Sequence, residues 1–434
     1  MYNSLRRYLM SVSEILANFL NENGSQTYKW KIYELKTVML YNILSLDGGG
    51  SWAILQLLTL KHKYGNVPGH KVLRDFDMII ANSGGSIALA ALAENWTIDK
   101  ALTLFDKKEV REQVFSKNSF KNRFFPIDYI RLFKPFGPKY SAPEKGKAFR
   151  MLFPELDKRQ MNELPEFIGK PSLKLIVCTY DSLNNRAKFF KSYGSGSTYD
   201  SVKMTQAIHG SSNAPIQYFD FPARFKAKNS EIFYELWDGA LGGFNNPVTA
   251  GVIEAMKEGV DLDKVKVISI GTGNKLMSND DKKRFYQVKQ ITQRERRKKL
   301  RFWRLKYQIE YFTKTILNQA TTILYEPPDW ANYVAYMFLL RSGNDDIDQR
   351  LIRVSPMIHN NREAPDEINA LIDKLYQLDM DLTEDEDVAL LKECFKKWST
   401  DEIFNQPIDF RVERNNDLVY LIGDKYFSDA LKKW

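Results

Sequence analysis

The chain is short of the residues that staple or metallate a fold. Its 434 residues include only two cysteines, Cys178 and Cys394, and four histidines. Two thiols so far apart argue against a disulfide framework and fit a reducing compartment. No His-x-x-His or Cys-x-x-Cys spacing occurs, so no structural metal is expected. The acidic stretch from Asp379 to Asp387 lacks the glycine and the spacing of a calcium loop. No apolar run approaches the ~20 residues of a membrane-spanning helix, so any membrane contact is expected to be peripheral. A secretory leader is not expected, because Ser11, Ser13, Glu14 and Asn18 interrupt the apolar residues behind Arg6 and Arg7. No convincing internal repeat is present.

What is there reads as globular and soluble, with 44% hydrophobic and 27% charged residues. The length suggests two to three domains. Leu5, Leu9, Val12, Ile15, Leu16 and Phe19 fall at helical spacing, giving a helical extension over residues 1–40. It either packs on the main domain or lies at a membrane interface.

The net charge of +9 is local. Residues 282–306 carry twelve Lys and Arg against Glu295, a sum of +11, which leaves about −2 for the rest. Arg296, Arg297, Lys298, Lys299, Arg301, Trp303 and Arg304 form its densest part, and a long helix is expected across it. Basic and aromatic residues together suit an anionic lipid surface. The competing readings are a solvated face packed on the acidic remainder, and nucleic acid or another acidic ligand.

The chain is organised around Ile79-Ile80-Ala81-Asn82-Ser83-Gly84-Gly85-Ser86. An apolar strand-like run, Phe76 to Ile80, stops at a small-x-Ser-x-Gly pentad, and a helix-compatible run follows at once. Strand, tight turn and helix are the context of a nucleophile elbow, although Ala81 stands where glycine is usual. The bland alternative is a structural strand-to-helix turn. Upstream, the run Tyr41 to Leu46 ends in Asp47-Gly48-Gly49-Gly50, ahead of a helical run from Ser51 to about Tyr64. Consecutive glycines let backbone N–H groups converge on an anion. A Walker loop is excluded, since no Gly-Lys-Ser/Thr follows, and Ala53 spoils a dinucleotide fingerprint. Downstream, Asp238-Gly239-Ala240 and Asn245-Asn246-Pro247 offer a carboxylate at a strand end, or an ordinary Asp-Gly turn.

Together these stretches, in this order, resemble the patatin-like phospholipase family. Asp47 to Gly50 resembles its oxyanion glycine motif, Ala81 to Gly85 its Gly-x-Ser-x-Gly elbow, and Asp238 to Ala240 its Asp-Gly-Gly/Ala motif. Ser211-Ser212-Asn213-Ala214-Pro215 is similar to its small-residue segment, and Val267 to Gly273 to the strand that closes its domain. The resemblance implies a patatin-like domain over residues 41–275, an α/β three-layer fold with a mostly parallel sheet. Residues 276–434 then form a mainly helical C-terminal region, regulatory or membrane-contacting.

The resemblance further implies a serine lipid acyl hydrolase of phospholipase A or lysophospholipase type. Ser83 would be the nucleophile, Asp238 the base, and Gly48, Gly49 and Gly50 the oxyanion hole, with no metal or other cofactor. His209 is then structural or pocket-lining. The family's Gly-x-Arg-Gly continuation is replaced by Gly50-Ser51-Trp52-Ala53, which bears on head-group preference. The alternatives are a non-catalytic lipid- or protein-binding module on the same scaffold, and a lipid acyltransferase. The family includes injected bacterial toxins that stay inert until a host protein such as ubiquitin binds. The expected partners are therefore a phospholipid surface and a protein activator of that kind, with nucleic acid disfavoured. The expected location is cytoplasmic and peripheral to membranes, or a host cell reached without a classical signal peptide.

Overall fold

Short β-branched and apolar runs alternate with helical ones along this chain, which is the pattern of a parallel sheet covered on both faces. The computed structural model describes residues 40–117, 138–194, 202–215, 218–227, 232–276, 328–341, 349–360, 364–413 and 417–434. The N-terminal helix expected over residues 1–40 lies outside them apart from Leu40. So do most of the aromatic segment around Phe124 to Pro138 and the whole basic block, Arg296, Arg297, Lys298, Lys299, Arg301, Trp303 and Arg304 included.

The strands of the main sheet are β1 (Tyr41–Leu46), β2 (Met78–Asn82), β3 (Lys174–Asp181), β4 (Arg186–Lys191), β5 (Ala223–Lys226), β6 (Phe233–Asp238), β7 (Val265–Ile270) and β8 (Leu351–Val354). Their spatial order is β5-β6-β3-β2-β1-β7-β8, with β4 also paired to β3. The pairs β2–β3, β1–β2, β1–β7 and β7–β8 are parallel. The pairs β3–β4, β3–β6 and β5–β6 are antiparallel. The sheet is thus mostly parallel with an antiparallel end, as the alternation of elements implies.

Successive residues of these strands feed two cores. Leu44, Leu46, Ile79, Ala81, Leu175, Val177, Ile268 and Ile270 face one; helices Ile54–Tyr64 and Ser83–Ala93 pack on it. Ile43, Met78, Ile80, Ile176, Cys178, Val265 and Val267 face the other, under helices Val248–Lys257 and Pro328–Leu340. Most positions of the parallel strands β1, β2, β3, β7 and β8 are therefore buried on one side or the other, which is why these runs are almost continuously apolar. The helix Ser83–Ala93 is buried along its whole length, in keeping with its alanine-rich, nearly non-amphipathic sequence. Cys178 and Cys394 are both buried and unpaired, serving as small packing residues.

The sheet continues past β7. β8 lies beside it, and its Arg353 donates through Nη2 to Asp47 Oδ2 at 2.6 Å, at the end of β1. Arg353 also reaches Ser269 Oγ at 2.8 Å and Gln406 Oε1 at 2.8 Å. Burial pushes the Asp47 carboxyl up to about 6 even though Arg353 pulls it down. The C-terminal helices Asp366–Gln377 and Asp385–Ser399 complete the first core through Ile368, Leu371, Leu375, Leu391 and Trp398. A capping box of Thr383 and Glu386 is expected at the second of these helices. Instead Glu384 holds the N-cap position without a side-chain cap, and Thr383 Oγ1 turns to the Glu384 carboxylate at 3.2 Å.

A buried pair broken from one side strands the other charge. Arg353→Met is therefore expected to lower unfolding free energy by about 3–5 kcal/mol, read from urea denaturation. Adding Asp47→Asn should recover part of that loss. A single-variant loss below about 1 kcal/mol would mean the pair does not hold β8 to the end of β1.

Candidate active site

The register of β3 brings the elbow to the carboxylate. β2 runs along one edge of β3 and ends with Asn82 opposite Cys178. β4 occupies the other edge. β6 arrives from the opposite direction on the β2 side, and its last residue, Asp238, stands opposite Thr179. The C-terminal ends of β2 and β6 thus meet head to head at adjacent positions of one strand. Asn82 Nδ2 donates to Asp238 Oδ1 at 3.0 Å across the join. Ser83, the next residue, brings its hydroxyl close enough to the Asp238 carboxylate to favour its ionised form.

Ser83 has φ 47°, a left-handed conformation that costs a non-glycine residue on the order of 1–3 kcal/mol. The strain is held by packing on all sides. Its N–H donates to Ser211 Oγ at 2.8 Å, and its carbonyl accepts from Ser86 Oγ at 2.6 Å. The small-residue segment at 211–215 thus has a structural reason: Ser211 braces the elbow, and the Asn213 carbonyl accepts the Asp238 N–H at 3.1 Å. Gly84 lets the helix start against the glycine loop, since a Cβ there would lie 2.3 Å from the Gly50 carbonyl oxygen. Ala81, which replaces the usual glycine, is fully buried, and its methyl joins the first core.

Asp238 is buried and carries a raised pKa. Burial raises it, while the nearby Ser83 hydroxyl, the hydrogen bonds from the Ala240 N–H and Asn82, and the pull of Lys145 hold it down. The three glycines divide their work. Gly48 N–H is already committed to the Asn245 carbonyl at 2.7 Å. Gly49 and Gly50 follow with φ 150° and 57°, and no acceptor among the described residues takes their N–H groups. The glycine loop therefore offers two amides rather than three, and Gly48 is needed for close packing, where a Cβ would meet Asn245 Oδ1 at 2.4 Å. Asn245 thereby acquires a role as the clamp of the loop.

His209 stays apart. It lies against Gly146, makes no hydrogen bond to Ser83 or Asp238, and its buried Nδ1 has no partner among the described residues. Trp52, in place of the family's arginine, is buried and donates Nε1–H to the Asp379 carbonyl at 2.9 Å. It ties the glycine loop to the C-terminal region instead of presenting a charge.

Two site features give no signal in sequence. Lys145 is fully buried in the helix Ala142–Leu152, lines the same cavity as Ser83, and sits 3.8 Å over the Phe219 ring. Its ammonium donates to Ser212 Oγ at 3.3 Å, and no carboxylate among the described residues pairs with it directly. Burial drives its pKa well below the ordinary lysine range, against the pull of Asp238 and Asp220. The second feature is Met380-Asp381, which lines the cavity from a segment 297 positions downstream of Ser83 (380 − 83). Neither position sits in a periodic or motif context that would mark it.

The arrangement can do acyl-transfer chemistry: a strained serine, a buried carboxylate beside it, and two loop amides with no acceptor among the described residues. Among the described residues no helix is long and apolar enough to cross a membrane.

The family model "Patatin-like phospholipase" matches residues 44–252. The protein named "Putative sporulation hydrolase CotR" of Bacillus subtilis (strain 168) is 28% identical over 238 residues, covering 54% of this chain and 63% of that one. The chain thus spans less than two thirds of that relative's length. Among solved structures, VipD from Legionella pneumophila shares 12% identity at a TM-score of 0.31, over 82% of this chain and 67% of that one. The complex of SpcU with ExoU from the type III secretion system of Pseudomonas aeruginosa gives 18% identity at a TM-score of 0.23, over 41% and 39%. Superpositions that loose set no residue correspondence.

The Asp238 carboxyl is expected to titrate above the ordinary aspartate range, followed by the ¹³C shift of its carboxyl carbon. Asn82→Ala should push it higher still, because that donor favours the ionised form. A titration at or below the ordinary aspartate value would mean that burial does not govern this group.

Proposed function

We propose that this chain, whose residues 44–252 match the patatin-like phospholipase model, hydrolyses acyl esters of phospholipids, as a phospholipase A or lysophospholipase, with Ser83 as nucleophile and Asp238 as base. The observation that best supports this reading is the head-to-head meeting of β2 and β6, which sets Ser83 beside the Asp238 carboxylate.

Ser83 Oγ attacks the ester carbonyl as Asp238 takes its proton. The tetrahedral oxyanion is held by the Gly49 and Gly50 N–H groups and by the N-terminus of the helix Ser83–Ala93. Collapse of the intermediate breaks the ester C–O bond, and the protonated Asp238 returns its proton to the departing alcohol. Water then attacks the acyl-enzyme and yields its proton to Asp238. The second collapse releases the fatty acid and returns that proton to Ser83. The raised pKa of Asp238 suits a group that must both take and give a proton.

The substrate is met at an anionic lipid surface. The charge density of residues 282–306 supports this, at about 1 kcal/mol per basic residue near such a surface. A protein activator is part of the same proposal, and it is tested directly by adding eukaryotic cytosol.

The test is fatty-acid release from anionic phospholipid vesicles and from water-soluble dihexanoyl phosphatidylcholine, with and without cytosolic extract. Ser83→Ala and Asp238→Asn should each lower turnover by about 10³-fold or more. Chelator should leave it unchanged. In wild type, kcat/KM should fall with acid along a limb whose pKa lies above the ordinary aspartate range, since protonated Asp238 cannot accept a proton. Wild-type silence in every arm would reject the reading, as would turnover that survives Ser83→Ala.

A further inference from the structure

Among the described residues that line the cavity with Ser83, Lys145 and Asp381 alone bear charge, and they are matched differently. The Asp381 carboxylate is taken by Lys139 at 3.0 Å and by the Tyr140 hydroxyl. Lys145 has no such match. It is fully buried, and the one hydrogen bond its amine makes among the described residues goes to Ser212 Oγ at 3.3 Å. The Ser212 hydroxyl gives its own proton to the Ile208 carbonyl at 2.7 Å, so it accepts from Lys145 without balancing its charge. The Phe219 ring lies 3.8 Å from the Lys145 nitrogen. Ser212 and Phe219 line the same cavity, which places the head of the lysine at its wall.

The neighbouring cations are committed elsewhere. Lys139 bridges Asp379 and Asp381, each at 3.0 Å. Lys275 donates to the Leu378 carbonyl at 2.5 Å and lies 4.7 Å from the Trp52 ring. An ammonium has three protons to donate, and Ser212 takes one. An anion entering beside Ser83 therefore meets a single cation-forming side chain in the described lining, with donors to spare.

We infer that Lys145 makes the Ser83 site select esters carrying an anionic phosphate a few bonds from the scissile carbonyl, over neutral acylglycerols of the same chain length. This rests on Ser83 being the nucleophile. The physical reason is the cost of a buried charge. Burial disfavours the Lys145 ammonium, and Asp238 and Asp220 draw it back without bonding to it. A phosphate oxygen within hydrogen-bond reach supplies the missing counter-charge in a medium that screens weakly. A neutral diacylglycerol brings nothing of the kind. The two substrates then differ by one contact, as in any site built to bond a group that the rejected analogue lacks.

The test measures kcat/KM for dihexanoyl phosphatidate and dihexanoylglycerol, each below its micellar concentration so that no charged surface takes part. Wild type, Lys145→Met and Lys145→Gln are compared, with Ser83→Ala as blank. Wild type should favour the phosphatidate by about tenfold or more, and both Lys145 variants should bring the ratio to within about threefold of unity. The ratio is the readout because Lys145 also bears on Asp238, and a changed base acts on both substrates alike. Met keeps the length of the arm without its charge, and Gln keeps a donor for Ser212. Should one variant fail to fold, the other decides. A wild type that treats both esters alike overturns the proposal, as does a ratio that the variants leave in place. An equal fall on both esters also overturns it, making Lys145 a tuner of Asp238 rather than a selector.

A second measurement needs no turnover. By calorimetry, Ser83→Ala should bind hexyl sulfate about tenfold more tightly than Ser83→Ala/Lys145→Met does, a difference that leaves out any binding at the basic block. Inorganic sulfate should show no such difference. If it shows the same one, Lys145 serves a free oxyanion and the assignment to substrate is overturned. If every ester is inert but hexyl sulfate binding depends on Lys145, the nucleophile reading falls and the anion site stands. If esters turn over through Ser83 while neither the ratio nor the binding depends on Lys145, the role of Lys145 alone falls. If esters are inert and binding does not depend on Lys145, both fall.

Discussion

Everything at the site depends on one strand serving as a ruler. β3 carries β2 and β6 end to end on the same edge, so Asn82 and Asp238 occupy adjacent rungs, opposite Cys178 and Thr179. Because side chains alternate faces along a strand, a slip of one residue in β6 would turn Asp238 to the wrong face. Register is set here by burial: Tyr234 and Leu236 of β6 are both core residues. The same hydrophobic packing that stabilises the sheet therefore aligns two polar groups 155 positions apart, from Ser83 to Asp238 (238 − 83). No interaction between the serine and the carboxylate is asked to pull them together.

The strain at Ser83 and the burial of Asp238 are both unfavourable locally, and both are held by neutral or apolar neighbours. Ser211 and Ser86 take up the backbone of the elbow, and Asn82 and Ala240 supply donors to the carboxylate. Lys145 adds a buried amine to the same apolar chamber, with no carboxylate among the described residues paired to it directly. The chamber thus keeps its titratable groups away from their solution behaviour in opposite senses, Asp238 raised and Lys145 lowered. Both shifts follow from burial disfavouring the charged form.

Much of this was legible in the residues. Strands at Tyr41–Leu46 and Val265–Ile270 are apolar runs bounded by turn residues, and such runs have few other structural solutions. The elbow announces itself because glycines are required wherever backbones approach as closely as Gly84 and Gly50. Thr97 caps its helix from Lys100 N–H at 3.3 Å, as its position before Ile98 suggests. What was not legible depends on long-range packing. Nothing local distinguishes Lys145 from a solvated lysine, or Arg353 from an ordinary strand-edge charge. The division of Gly48 from Gly49 and Gly50 needed the position of the Asn245 carbonyl. The Thr383 capping box failed because Glu384, closer to the helix start, took the cap position and drew Thr383 to itself.

The ion pair between Asp47 and Arg353 joins residues 306 positions apart. Ribosomes make the glycine loop early and its anchor late. Until residue 353 has emerged and β8 has docked, Asp47 at the head of the loop lacks the counter-charge it has in the folded chain. Met380 emerges later still. A chain caught midway through synthesis therefore has a serine and a carboxylate but no finished cleft around them. Competence arriving last is a form of timing written into chain order. It follows from the geometry of a sheet that closes from its far end.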